Sequence, residues 1–320
     1  MNNLLATNTE WISLIKKNSK QQTKIEEYKM DKIIFPNNKF KRILNSIVFN
    51  IFRSAAVING LALFVVVYFM VSNGLSAITW TFLTQPPTDS MTKGGILPCI
   101  IGTLCLSLGA IAIAFPIGVA SAIYLSEYAK PGKILRIIRL GINNLAGVPS
   151  VVFGLFGLAF FVVWLKLGVS ILSGSLTLAA MSLPVIIGST EEALKAVPET
   201  YREASLGLGA TKWQTIYRVV LPSALPGILT GGILGISRAA GETAPIMFTA
   251  AVFYTPYLPS SIFDEIMALP YHIYVLATAG TDIEATRHLQ YGTAIVLIVL
   301  VFGINLAAII YRSKLRRKMS

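Results

Sequence analysis

Six stretches of the chain are long and apolar enough to cross a lipid bilayer, at roughly 49–72, 96–123, 137–165, 168–190, 226–253 and 289–311. A membrane-spanning helix needs about 20 such residues, because each advances about 1.5 Å through a hydrocarbon core about 30 Å thick. No water is present there to satisfy backbone N–H and C=O groups. Runs of this length must therefore close their hydrogen bonds internally as helices. The expected fold class is all-α integral membrane, with six transmembrane helices. Composition agrees, since only 13% of the 320 residues are charged, against about 25% in soluble domains. The mean hydropathy is +0.67. These values exclude a disordered chain, a collagen-like chain and a disulfide scaffold. Cys99 and Cys105 share one apolar run and fall on different faces of a helix, so they read as packing residues. The first run is too long for a cleavable signal peptide, and no small-residue cleavage site follows it.

Basic residues set the orientation, because short cytoplasmic loops of membrane proteins are enriched in Lys and Arg. Ten of the 27 Lys and Arg lie between the start and Arg53. Lys130, Lys133, Arg136 and Arg139 separate spans two and three, and Lys195, Arg202, Lys212 and Arg218 separate spans four and five. Arg312, Lys314, Arg316, Arg317 and Lys318 follow the sixth span. All of these share one side if both termini are cytoplasmic, leaving Lys93, Lys166 and Arg287 opposite and Arg238 within span five. The split accounts for the net charge of +12 with no nucleic-acid partner. The expected organisation is a basic cytoplasmic tail at 1–48, with a short interfacial helix near Phe40 to Ile47. A six-span domain at 49–311 contains a cytoplasmic loop at 189–225, and a basic cytoplasmic tail at 312–320 closes the chain. Outer loops are expected at 73–95 and 254–288. The second carries Asp264, Glu265, Asp282 and Glu284, and reads either as an acidic docking surface or as a solvated loop.

The chemistry of an enzyme is missing. No G-x-x-x-x-G-K-[ST] phosphate loop is present, and neither is H-E-x-x-H or a G-x-S-x-G elbow. The histidines are His272 and His288. No catalytic residue, metal ligand or cofactor is expected.

The loop between spans four and five reads STEEALKAVPETYREASLGLGATKWQTIYRVVLPSALPGI from Ser189. At about 35 residues it far exceeds the usual short connection. Its periodicity predicts a helix opening at Pro198, a break at Gly207 and Gly209, and a second short helix carrying Trp213, Ile216, Tyr217 and Val220. Leu221-Pro222 is expected to end that helix, and Pro226-Gly227 to open the next span. Two short helices with exposed apolar faces suit a groove in a partner protein. Glu203, Ala204, Ser205, Gly209, Leu221 and Pro222 also follow the pattern E-A-A-x-x-x-G-x9-I-x-L-P, with Ser205 for the second Ala and Val219 for the Ile. In this the segment resembles the coupling loop of ABC-importer permeases. The resemblance implies that those six residues dock into a separate cytoplasmic ATPase.

Span five contains Arg238 and Glu242. With Pro226 at the cytoplasmic end, Arg238 lies ~18 Å along the helix, where a charge costs about 2.5–3.5 kcal/mol on insertion scales. A helical wheel places Gly231, Gly235, Ala239, Arg238 and Glu242 on one face. Leu229, Ile233, Ile236 and Met247 fall on the lipid-compatible side, although Ile228 and Ile246 intrude on the small-residue face. The small residues let a helix or a solute approach the backbone. Arg238 and Glu242 stand four apart and read either as a structural ion pair or as a positive site for an anion, with Glu242 tuning it. A planar guanidinium donates two parallel hydrogen bonds to an oxyanion.

The run SRAAGETAPIMFTA from Ser237 resembles the PstA-type membrane subunits of bacterial phosphate ABC importers, and the run LAGVPSVVFGLF from Leu145 resembles the phosphate group of these permeases more generally. The resemblance covers roughly residues 50–312. It implies the type I ABC-importer permease fold in a bacterial inner membrane. It also implies a PstC-like sister permease, a PstB-like ATPase dimer and a PstS-like phosphate-binding protein, periplasmic or lipid-anchored. The path would form between the permeases, lined by Arg238 and Glu242 with Ser237 and Thr243 of the same run. Asn143, Asn144 and Asn305 are weaker candidates that read as interhelical hydrogen-bond partners. The chemistry of one Arg does not separate phosphate from sulfate, molybdate or phosphonate; only the G-E-T-A-P run does. An ion-coupled secondary transporter is a further reading, but it expects inverted repeats, which the sequence lacks, and leaves the loop unexplained. A membrane scaffold without transport would need no buried Arg.

Overall fold

A computed structural model of the chain describes residues 38–279 and 283–319. The first 37 residues, most of the expected tail, lie outside the described residues, as does Asp282. The chain divides into two compact units, Met1–Val67 and Tyr68–Ser320. In the first, helix α1 (Asn38–Gly74) runs without interruption into the second unit. Residues 40–47 therefore extend span one rather than forming a separate interfacial helix. Side chains such as Phe52 and Leu63 are exposed, as hydrocarbon contact requires.

In the second unit, a short helix α2 (Trp80–Thr84) and a two-residue antiparallel ribbon, Pro87–Thr88 with Lys93–Gly94, precede α3 (Leu97–Ile123). Then come α4 (Lys133–Ala146), α5 (Ser150–Gly157) and α6 (Ile171–Lys195). The segment after α6 holds α7 (Glu199–Gly207) and α8 (Lys212–Thr215). The remaining helices are α9 (Leu221–Gly241), α10 (Ala244–Thr249), α11 (Leu269–Thr278) and α12 (Ile283–Met319). Among the described residues, five helical segments are long and apolar enough to span: Ile43–Ala77, Leu97–Tyr128, Ile171–Lys195, Lys212–Gly241 and Thr286–Leu315. A sixth exists only if α4 and the helix Ser150–Trp164 count together, and these meet at 102°.

Three expectations change here, and proline explains each. The single span at 137–165 is an elbow, because Pro149 lacks an N–H and turns the residue before it away from helix. The span at 226–253 breaks after Gly241, where Glu242 is extended (φ −79°, ψ 133°) and Pro245 opens α10. Leu221-Pro222, conversely, ends nothing. A π turn over Ile216–Val220 joins α8 to α9, giving one helix from Lys212 to Gly241. Its i→i+5 bonding widens the helix where the Pro222 ring would otherwise clash with a preceding carbonyl.

The core is the packing of α3, α6 and α9. Gly231 permits close approach of α6: a β-carbon there would meet Ser189 Oγ at 2.0 Å. The expected outer loop at 254–288 is only partly a solvated loop. Ile266, Met267, Leu269, His272, Val275 and Leu276 are all buried, and Leu269 N donates to Thr103 Oγ1 of α3 at 2.9 Å. Burial holds the His272 imidazole down to about 4. The Asp264 carboxylate accepts from Ser260 N, Ser260 Oγ and Ser261 N at 2.8–2.9 Å. Those donors, the backbone N–H groups first, hold its pKa below the ordinary value.

Candidate functional site

Two sites emerge, and one helix connects them. The first lies where α9 ends. Arg238 occupies the last turn of α9, where a cation also complements the unpaired helix carbonyls. Its Nε lies 3.6 Å from Glu242 Oε1, so the sequence-predicted pair is formed. The side chains are 35% and 20% exposed, respectively. No hydrogen bond among the described residues engages the terminal Nη groups of Arg238. Non-helical backbone at membrane depth is stable only where protein buries it or water reaches it. The extended Glu242 thus coincides with a partly open position shared by the Arg238–Glu242 pair.

Depth follows from neighbouring contacts. Arg312, just past the sixth apolar run, donates from Nη1 to Thr230 Oγ1 at 2.6 Å. Thr230 is therefore level with the edge of that run. Arg238 lies eight residues further along α9, about 12 Å deeper. Ser237 is drawn elsewhere, its hydroxyl lying 2.6 Å from Ile233 O and 2.5 Å from the Asn305 side chain of α12. Of the polar residues set aside as weaker candidates, Asn305 is thus an interhelical partner. The side chain of Thr243 makes no hydrogen bond among the described residues.

The helical wheel holds on one face only. Gly231, Gly235 and Ala239 are buried, and the stripe serves helix packing against α6 rather than passage of a solute. Ile236 is buried, not lipid-facing. The reason is that α9 packs on α3, α6 and α12 together, so its buried arc is wider than one stripe.

The second site is the surface expected from the sequence to dock an ATPase. α7 begins after Pro198, ends at Gly207, and is followed by Gly209 at φ +82°, a left-handed turn that favours glycine. That turn swings α8 back so that Ser205 Oγ and Thr215 Oγ1 sit 3.0 Å apart. Glu203 and Ala204 are exposed, and Leu208 at the tip is 89% exposed. Trp213 and Tyr217 stack in the open with ring centroids 6.1 Å apart. Leu221 packs with the buried Leu194, Val220 and Ala224 beneath. The expected docking residues therefore divide: Glu203, Ala204 and Gly209 face out, Ser205 ties the helices, and Leu221 and Pro222 are half-buried within the continuing helix.

Sequence reasoning missed what holds this surface in place. Arg202, 13% exposed, donates to Glu127 Oε1 (2.9 Å) beyond α3, to Leu194 O and Val197 O (both 2.9 Å), and to Glu199 Oε2 (3.1 Å). Nearby, Arg139 of α4 lies 3.4 Å and Lys195 3.3 Å from the buried Glu191. The signal was Glu127, an acid in an otherwise basic connection.

A family model described as "Binding-protein-dependent transport system inner membrane component" matches residues 114–320. The phosphate transport system permease protein PstA of Mycobacterium leprae is 36% identical over 294 residues, covering 90% of this chain and 95% of its own. The probable ABC transporter permease protein YqgI of Bacillus subtilis is 35% identical over 267 residues, covering 79% of this chain and 88% of its own. Among solved structures, a chain of a bacterial ABC transporter involved in the import of the acidic polysaccharide alginate superposes with a TM-score of 0.58. That match is 15% identical and covers 85% of this chain and 99% of the other. At this identity it speaks for the fold.

Proposed function

The chain belongs to the family of binding-protein-dependent transport system inner membrane components, and we propose that it is the PstA-type permease subunit of an ATP-driven phosphate importer. The reading places both termini in the cytoplasm, a sister permease beside the chain and an ATPase dimer under α7 and α8. A phosphate-binding protein lies outside. The observation that carries the anion assignment is Arg238, a guanidinium at membrane depth whose Nη groups have no partner among the described residues. Its single long contact with Glu242 leaves donors for a tetrahedral oxyanion. The continuous helix from Lys212 to Gly241 supports a lever mechanism. It is about 45 Å long, with Trp213 and Tyr217 at the docking end and Arg238 at the other. Closure of the ATPases on α7 and α8 tilts this helix and moves Arg238 relative to the sister subunit. Glu127 and Arg202 stiffen the docking end, so movement passes on rather than being absorbed by the loop.

The test is ATP-driven uptake of labelled phosphate by vesicles holding the assembled complex, in competition with sulfate, molybdate and methylphosphonate. Phosphate should be transported and be displaced only by excess phosphate. Equal displacement by sulfate or molybdate would reassign the substrate within the oxyanions.

A further inference from the structure

Helix α4 presents three faces, each settled by a different observation. Leu135 and Ile142 pack against the buried Ala122, Leu125 and Ile187. A second face carries Ile134, Ile137, Ile138 and Leu145, all exposed. The third carries Lys133, Arg136, Asn143 and Asn144, with Leu140 among them, all exposed. At 100° per residue from Lys133, these exposed faces centre about 100° and 330° around the helix. An apolar face beside a cationic polar face suits a helix lying in the plane of the membrane surface. The 102° bend to the apolar helix Ser150–Trp164 has the matching geometry: if that helix runs along the bilayer normal, α4 lies flat.

Inside the elbow is an open cavity of about 480 Å³ lined by residues that include Ile142, Leu145, Val152, Phe156, Leu183 and Ile187. Its lining is apolar, so hydrocarbon fills it more readily than water. Lys133 and Arg136 stand one turn apart on the polar face of α4, outside the lining of this cavity, and their charged groups have no partner among the described residues. No acidic residue occurs in α4 to neutralise them.

We propose that α4 is a binding site for an anionic phospholipid, with Lys133 and Arg136 holding the headgroup phosphate and an acyl chain lying along the adjoining exposed face of Ile134, Ile137 and Ile138. Charge decides the occupant. A packed helix from another subunit would cover the apolar face but leave both cations uncompensated, whereas a phospholipid satisfies both faces at once.

Native mass spectrometry of the whole complex, purified from membranes containing phosphatidylglycerol, tests the site. The wild type should retain phosphatidylglycerol, and Lys133→Gln with Arg136→Gln should lose it, by about fivefold per charge removed. Retention at the wild-type level would overturn the proposal. A second measurement places a bimane label at Ile137→Cys or Ile138→Cys in a Cys99→Ala, Cys105→Ala background, in vesicles with brominated lipids. Brominated phosphatidylglycerol should quench both labels, and more strongly than brominated phosphatidylcholine at the same mole fraction. Quenching by neither lipid would show that protein covers the face. Equal quenching by both would show a lipid-facing helix with no anionic site. Either result would end the proposal.

Discussion

A guanidinium within a bilayer persists only where something replaces part of its lost hydration. Glu242 does so at one nitrogen, 3.6 Å away. Arg238 was legible in the sequence because a charge in an apolar run has few explanations. Arg202 was not, because an Arg in a cytoplasmic loop needs none, and only the fold shows it buried against Glu127. Gly209 carries a prediction at this scale. A β-branched residue at φ +82° costs about 1–2 kcal/mol, equivalent to a factor of about 5–30. Gly209→Val should reduce co-purification of the ATPase by roughly that factor, whereas Gly209→Asn, which tolerates the left-handed region, should retain most of it. Unchanged co-purification with Gly209→Val would remove the turn from docking. His272 carries a second prediction. Its folded pKa of about 4 lies below the ordinary 6.5, so the unfolded chain binds the proton first as the pH drops. The stability this group contributes is complete above 6.5 and is lost as the pH falls toward 4, at up to about 1.4 kcal/mol per pH unit. Thermal unfolding of the purified complex at pH 7 and pH 5 should show the loss, and His272→Leu should flatten it. An identical pH slope in that variant would assign the loss to other groups.

Among the elements, the approximate places of the apolar runs were legible because hydropathy depends on length and composition, but the breaks inside two of them were not. What each proline does was not, because it depends on neighbours. Pro116 and Pro184 stay inside α3 and α6, Pro149 and Pro245 sit at breaks, and Pro222 is absorbed by a π turn. The buried α11 was missed for a related reason. It is ten residues long, too short for a spanning signal, and its place is fixed by α3 through Thr103. The clamp under the coupling helix gives the prediction at this scale. Removing one member of a buried ion pair costs about 3–5 kcal/mol. Arg202→Met and Glu127→Gln should each lower the thermal midpoint of the complex and leave ATP hydrolysis running without matching uptake. Because the two share one interaction, the double variant should lose less than the two single losses together. Strict additivity would mean that the residues act separately.

At the scale of the whole molecule, one unbroken helix joins the exposed surface of α7 and α8, the proposed docking end, to a positive charge at membrane depth. The sequence placed both ends but broke the connection, inserting a stop at Leu221-Pro222 where the structure has none. Family membership supplies the transport setting, and the geometry suggests how force reaches the anion path. The most direct test is labelled phosphate uptake by the reconstituted complex, wild type against Arg238→Gln, with assembly checked by co-purification of the ATPase. The account predicts an assembled complex with ATP hydrolysis intact and phosphate uptake reduced by at least about tenfold, the loss expected when one charged hydrogen-bonding partner worth about 1.5–3 kcal/mol is removed. Uptake at the wild-type rate in an assembled complex would contradict it, and would leave Arg238 and Glu242 as a structural ion pair.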